Sequence, residues 1–418
     1  MQQRLAYLAC SFGIGVFSGF NTFTLPLWLA SFTTSYLLIG LLGNTRSLEG
    51  ALVSPLFGVW SDRVWLGWLG RRRPFILVGG LLSAAILALT PAISRLPLPG
   101  PLTALPPETQ RLVPAVVAIF LFTFTFNTMD DIHKALLVDV TGPAERNTWS
   151  AWSVVTVMIG YVALLLLGFV LWPASVTDLA FFAAAALMAA SVLVTVAGVR
   201  EPPPAQWAAA HDEDQAGGLW ARLTLLARYR GALAFCLVSF AYWSGVNAVL
   251  PLVSIYTRDI LGATVGEAQL LPALLLVSTT AFALPMAWLG QRFGRRRVLA
   301  AGYAIVTVAA LGALVITTKE QGAAVFLLAG VGNAASNVLA IPLLAELVPR
   351  QYIGAASGVL AASGSLAAPL ASLAAGALSD AFGPRAIFAL MAALVVVALA
   401  LLPTVRQPAA VVLDAQSA

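Results

Sequence analysis

Lysine is almost missing from this chain. Of 418 residues, only Lys134 and Lys319 carry an ammonium group. Charge of either sign is scarce: Asp, Glu, Lys and Arg together make up 10% of the residues, against about a quarter in an ordinary soluble domain. So little charge excludes a fold that covers itself in water. Cysteine is nearly absent too. Cys10 and Cys236 each sit in an apolar run, with no CxxC spacing and no neighbouring His, which excludes a disulfide framework and a thiolate metal site. No G-x-x-x-x-G-K-[ST] loop occurs, so an ATP-driven machine is excluded. No nucleophile–base pattern or metal-ligand spacing points to an enzyme, and neither cofactor nor metal is expected.

What is present is apolar: 60% of the residues are hydrophobic. Runs long enough to cross a hydrocarbon core of about 20 residues recur twelve times, over residues 6–30, 35–60, 74–95, 112–138, 149–172, 177–198, 231–256, 264–289, 297–317, 322–346, 352–376 and 385–404. The first run is too long for a cleaved signal peptide and reads as a retained helix. The net charge of +5 would suit nucleic acid. The arginines, however, are spaced between apolar runs and form no basic domain, so no nucleic-acid partner is expected. The partner that the pattern does call for is a lipid bilayer.

The polar stretch from Arg200 to Arg230, with Glu201-Pro202-Pro203-Pro204 and His211-Asp212-Glu213-Asp214, divides the runs six and six. The expected organisation is an N-terminal six-helix bundle (1–199), a cytoplasmic linker (200–230), a C-terminal six-helix bundle (231–406) and a tail (407–418). Within the linker, Trp220, Leu223 and Leu226 fall at helical spacing among arginines, suiting a helix on the membrane surface or a plain solvated linker. With the N-terminus inside, sixteen Arg and Lys fall on the inner face and five on the outer. The positive-inside rule then puts both termini in the cytoplasm, in a multi-pass protein of the cell (inner) membrane. The fold class is all-α, with twelve transmembrane helices in two bundles.

The halves correspond. Gly58-Val59-Trp60-Ser61-Asp62-Arg63, with Gly70-Arg71-Arg72-Arg73-Pro74, matches Gly290-Gln291-Arg292-Phe293-Gly294-Arg295-Arg296-Arg297 in position. Asp139 before Pro143 matches Glu346 before Pro349. Such matches indicate parallel repeats related by an axis along the membrane normal.

The pattern of Gly58, Ser61, Asp62, Arg63, Arg71 and Arg72 resembles the signature loop of the major facilitator superfamily. Within it, Arg71-Arg72-Arg73-Pro74-Phe75-Ile76, and Asn127-Thr128 with Lys134-Ala135-Leu136-Leu137-Val138-Asp139, are similar to the sucrose transporters and the related glycoside–pentoside–hexuronide:cation symporters. The match runs over roughly residues 50–165. The resemblance implies alternating access, a sugar substrate and a conformational latch formed by Gly58, Asp62, Arg63, Arg71 and Arg72, with Arg292, Arg295 and Arg296 in the second copy. Gln291 replaces the acid of that copy, and helix two carries Arg46-Ser47-Leu48-Glu49-Gly50 where those carriers have G-P-x-x-G. The tetrapyrrole-associated carriers share a similar loop.

Six ionisable residues fall inside the expected spans: Arg46, Glu49, Asp130, Asp131, His133 and Lys134. Each charge costs about 2.5–3.5 kcal/mol at the bilayer centre on insertion scales, so pairing is required. Arg46 stands three residues from Glu49. Lys134 stands four from Asp130 and three from Asp131, so intramembrane ion pairs facing the bundle interior are expected. By helical rise, Glu49 lies about 20 Å and Asp130 about 13 Å from the inner boundary. These carboxylates are read either as a fixed ion-pair lattice or as proton carriers, with Asp130 favoured for coupling, Asp131 beside it, and Glu49 held ionised. His133 is a relay or a hydrogen-bonded core group. Sodium remains an alternative to the proton.

Asn21, Asn127, Tyr242, Trp243, Asn247, Asn333 and Asn337 are the candidate substrate contacts, offering amide partners and aromatic faces to a neutral sugar. The alternative is that they hydrogen-bond between helices. The resulting expectation is a monomeric, proton-coupled symporter of a small neutral sugar or glycoside. Its rivals are a proton-antiport exporter of amphipathic compounds and a tetrapyrrole-associated carrier or assembly factor.

Overall fold

The computed structural model describes residues 2–45, 49, 60–61, 64–99, 104–201, 229–349 and 352–405. Among them the regular structure is helical, and eleven helices are long and apolar enough to span a membrane. The second expected span, 35–60, falls largely outside the described residues. So do Arg46, Gly58, Asp62 and Arg63, most of the linker and the tail.

Proline explains where helices depart from their apolar runs. The first span begins as α1 (Gln2–Gly19), widens into a π-helical turn at Phe20–Thr24, and continues as α2 (Leu25–Leu29). Pro26 has no N–H to give the carbonyl four residues back, and Leu25 N–H reaches Phe20 O instead. The seventh run, expected unbroken over 231–256, is split into α8 (Arg230–Val249) and α9 (Val253–Asp259). Pro251 stands in the gap and breaks it for the same reason.

The remaining elements of the first half are α3 (Tyr36–Leu42), α4 (Arg73–Ile93), α5 (Pro107–Val140), α6 (Pro143–Leu171) and α7 (Asp178–Gly198). Those of the second are α10 (Val265–Phe293), α11 (Arg295–Val315), α12 (Lys319–Ala345), α13 (Ile353–Phe382) and α14 (Ala386–Leu401). A reciprocal capping box between Thr318 and Gln321 fixes the start of α12.

The chain divides into two compact units: Met1–Glu213 with Thr264–Leu270, and Asp214–Ala263 with Leu271–Ala418. In the first, α1 packs on α6 and α7, and α4 on α5 and α7. In the second, α8 packs on α13 and α14, and α11 on α12 and α14. One neighbour pattern is thus built twice, as parallel repeats require. The segment Thr264–Leu270 is bound into the first unit by Gln269, a fully buried side chain. Its Oε1 accepts from Thr24 Oγ1 at 2.7 Å and from Trp172 Nε1 at 3.3 Å.

The outward surface is apolar. Leu284 is 81% exposed, Phe382 78% and Val315 75%. A lipid-facing exterior takes such residues; water would not. Inside, small residues bring helices together. A methyl group on Gly15 would lie 2.0 Å from Val157 O, and one on Gly160 2.2 Å from Phe12 O. The α1–α6 crossing therefore leaves no room for a side chain at either glycine. Gly160→Val is expected to force the helices apart at a cost of about 1–3 kcal/mol, read as a lower melting temperature of the detergent-solubilised protein. An unchanged melting curve would show that the crossing is looser than this.

Candidate functional site

Three arginines open α4, with Pro74 placed in the first turn, where its missing N–H costs nothing. Arg71, Arg72 and Arg73 are 2%, 5% and 5% exposed. Asp139, near the end of α5, receives Arg71 Nη2 at 2.6 Å and Arg72 Nε at 3.2 Å. Arg72 Nη1 also bonds Ser61 Oγ. Arg73 donates to the carbonyls of Val196, at 3.0 Å, and Trp68. Glu201, just past α7, takes the backbone N–H groups of Arg71, Arg72 and Arg73 at 2.9, 3.0 and 2.8 Å. These are orphan donors of a helix start, and a carboxylate also favours the positive end of the helix dipole. Gly70, at φ 76°, turns the chain into this cradle. A methyl group there would lie 2.8 Å from the Glu201 carboxyl carbon.

Asp139 and Glu201 were not among the latch residues read from the sequence. Asp139 was visible as the repeat partner of Glu346. Glu201 carried no signal beyond its place at the end of a span. The second copy is thinner: Arg295 pairs with Glu346, and Arg296 Nη1 donates to the Val405 carbonyl at 3.1 Å. Arg292 lies over the Trp288 ring at 5.3 Å.

Within the membrane spans, Lys134 Nζ lies 2.9 Å from Asp130 and 3.4 Å from Asp131. Asp130 is buried, whereas the Lys134 side chain is 64% exposed. The charged turn therefore runs from a buried carboxylate to an exposed ammonium. The lysine stem runs along the helix with its head free to snorkel. Glu49 is buried and accepts from Thr123 Oγ1 at 2.9 Å. Among the described residues its Oε2 has no hydrogen-bond partner. Arg46, its expected partner, lies outside them. His133 is 1% exposed and stacks on Tyr7 at 4.1 Å. Its Nε2 lies 3.0 Å from Ser11 Oγ, which lies 2.8 Å from Ser153 Oγ. These contacts cross from α5 to α1 and α6, and sequence spacing could not reveal them.

Among the neutral candidates, Asn21 sits on the π-helical turn, a geometry common at functional sites. Its Nδ2 donates to Gly43 O at 3.1 Å, and its Oδ1 is buried without a partner among the described residues. Asn127 is buried on α5. In the second unit Tyr242 Oη donates to Asn333 Oδ1 at 2.7 Å, and Asn333 Nδ2 to Thr279 Oγ1 at 3.1 Å. Tyr242 also stacks on Tyr303 at 4.4 Å, a partner absent from the sequence reading. These two side chains are engaged within their own bundle. Asn247 and Asn337 donate to the carbonyls of Trp243 and Asn333, 2.8 and 3.0 Å away. Asn247 and Trp243 are half-buried and Asn337 is exposed.

The two arginine sites differ in burial, and so should their energetics. Glu201→Ala would strand buried amide donors, each costing about 1–3 kcal/mol. Glu346→Ala would remove a pair about one-third exposed, worth at most about 1 kcal/mol. Melting curves are expected to show the larger loss for Glu201→Ala. Equal losses would contradict the difference in burial.

The fold has counterparts in known proteins. Residues 7–256 and 235–417 match the family model of the Major Facilitator Superfamily. The sucrose transport protein SUC3 of Arabidopsis thaliana is 32% identical over 126 residues, a match that covers 28% of this chain and 21% of that protein. The solved structure of the nucleoside transporter NupG shares 14% identity at a TM-score of 0.70, over 97% of this chain and 99% of the other. A D-xylose-proton symporter shares 15% at 0.69, over 96% of this chain and 96% of that one. At such identities the structures speak for the fold alone. The family match takes in both repeats: the chain belongs to the Major Facilitator Superfamily and is a multi-pass membrane protein of a secondary-transport family.

Proposed function

We propose that the protein is a proton-coupled symporter of a neutral sugar or glycoside, working by alternating access in the inner membrane with both termini cytoplasmic. The observation that carries this reading is the placement of charge. The first unit holds Asp130, Asp131, Lys134, His133 and Glu49 within its spans. The second offers Tyr242, Trp243, Asn247, Asn333 and Asn337, which are neutral, along its spans. A proton carrier needs an ionisable group that can exchange partners. A polyol needs hydroxyl and amide partners and an aromatic face. The local similarity to a sucrose transport protein supports the sugar class.

In this reading Asp130 takes the proton. Lys134 compensates its charge while it is ionised, and protonation releases Lys134. The residues of the buried arginine cradle hold the inner ends of the helices through the cycle. Asn21 and Asn127 on the first unit, and the neutral groups of the second, contact the substrate.

The test separates uphill uptake from exchange in proteoliposomes, with a panel of mono- and disaccharides under an imposed proton or sodium gradient. The wild type is expected to accumulate a neutral sugar only under the proton gradient. Asp130→Asn is expected to abolish accumulation and keep exchange, because the amide mimics the protonated acid. Wild-type accumulation by Asp130→Asn would remove Asp130 from the coupling role. Accumulation driven by sodium alone would replace the ion. Transport confined to lipophilic cations would overturn the sugar assignment.

A further inference from the structure

A cavity of about 600 Å³ opens at the head of α11 in the second unit. One side is basic, formed by Arg295, Arg296 and Arg297, with Glu346 as its carboxylate. The charges do not balance. Arg295 is taken up by Glu346. Arg296 donates to a neutral carbonyl, that of Val405. Arg297 is exposed and makes no ion pair among the described residues. All three also stand at the positive end of a helix dipole, where cations are disfavoured. Among the described residues, Arg296 and Arg297, both in the lining of the cavity, make no ion pair.

The lining also has an apolar part, which includes Phe293, Leu399 and Leu402. It adjoins side chains that belong to the outer surface. Phe293 is 51% exposed, and Val396 and Val397, just before Leu399, are each 47% exposed. Trp288, one turn before Arg292, is 55% exposed with the Arg292 guanidinium over its ring. Trp beside Arg at the end of a span marks the headgroup level of a bilayer. The arginine count assigns this level to the cytoplasmic leaflet, which carries the anionic lipids.

An arginine pair beside an apolar wall, at headgroup depth, suits a phosphate group attached to an acyl chain. Arginine forks match phosphate oxygens in pairs, and basic pockets between spans on this side are suited to anionic headgroups. We propose that this cavity binds the phosphate of an anionic phospholipid through Arg296 and Arg297, with the lipid tail along Phe293 and Leu399. The inference concerns the second unit alone and stands whatever substrate the transporter carries.

The full-length protein in detergent is titrated with short-chain phosphatidylglycerol, with phosphatidylcholine of the same chain length, and with inorganic phosphate. Bound lipid is counted by native mass spectrometry. Wild type is expected to bind phosphatidylglycerol saturably and more tightly than phosphatidylcholine. Arg296→Gln combined with Arg297→Gln should weaken the anionic lipid about tenfold or more, as loss of charge-assisted hydrogen bonds does. Arg297→Gln alone, at an exposed position, should weaken it in the same direction with no risk to folding. Ala300→Glu, which places a carboxylate on the cavity wall, should do likewise. Equal binding of the two lipids by the wild type, or unchanged phosphatidylglycerol affinity in the double variant, overturns the proposal. Saturable binding of inorganic phosphate with none of the lipid overturns the lipid as the source.

Discussion

A protein interior leaves neither a guanidinium nor a free amide without a partner except at a cost, and three buried arginines stand in succession where α4 begins. Everything around that point is arranged to answer them. Asp139 comes from α5 and Glu201 from the end of α7, so one cluster ties the ends of three helices together. Such a cluster adds little net stability over apolar packing, because desolvating the charges consumes most of the attraction. Its value is geometric. With the charges buried against one another, fixing any partner constrains the others, and the register of α4 against α5 and α7 follows. The glycine at residue 70 is part of the same constraint, since the carboxylate occupies the space a side chain would need.

The second repeat shows what the cluster becomes when half of it is missing. Gly294 turns the chain with φ 91°, as Gly70 does with 76°. Arg295 finds Glu346 where Arg71 finds Asp139. Past α14, however, Arg296 meets the carbonyl of Val405, and among the described residues no carboxylate. Among the described residues, the same backbone plan therefore holds a buried two-carboxylate cradle in one unit and a half-exposed one-carboxylate cavity in the other. The two copies share the turn and the arginines, and among the described residues they differ in the acids that answer them.

Much of this architecture could be read from composition and periodicity. The apolar runs locate the spans because a bilayer accepts little else. The paired Arg-rich turns reveal the repeat because glycine and arginine serve local needs, a tight turn and a basic inner end. The departures come from local backbone chemistry. Pro251 splits one helix, and Pro26 forces a π turn that hydropathy cannot see. The site was less legible. Lys134 with Asp130 is a one-turn contact, which spacing encodes. Glu201 with the amides of α4 joins residues some 130 positions apart, through donors that every residue but proline possesses, so no side-chain pattern marks it. Tyr7 on His133 and Tyr303 on Tyr242 are likewise contacts between spans, fixed by helix packing and not by order in the chain.

The two buried carboxylates of the first unit illustrate why burial alone does not assign a role. Glu49 meets a neutral hydroxyl, and among the described residues one of its oxygens meets nothing. Asp130 meets a cation whose own side chain is mostly exposed. A charge that must come and go during a transport cycle needs a partner that can leave without being stranded. In the proposed cycle Lys134 suits that condition, because its side chain is 64% exposed and its ammonium would not be stranded in the interior on leaving Asp130. Asp131, half-buried on the next position, keeps the ammonium within reach. Glu49 has no such cation among the described residues, where it meets Thr123, and Arg46 lies outside them. The exposure of a lysine, and not a property of the acid itself, is thus what supports the proposal that Asp130 is the mobile group.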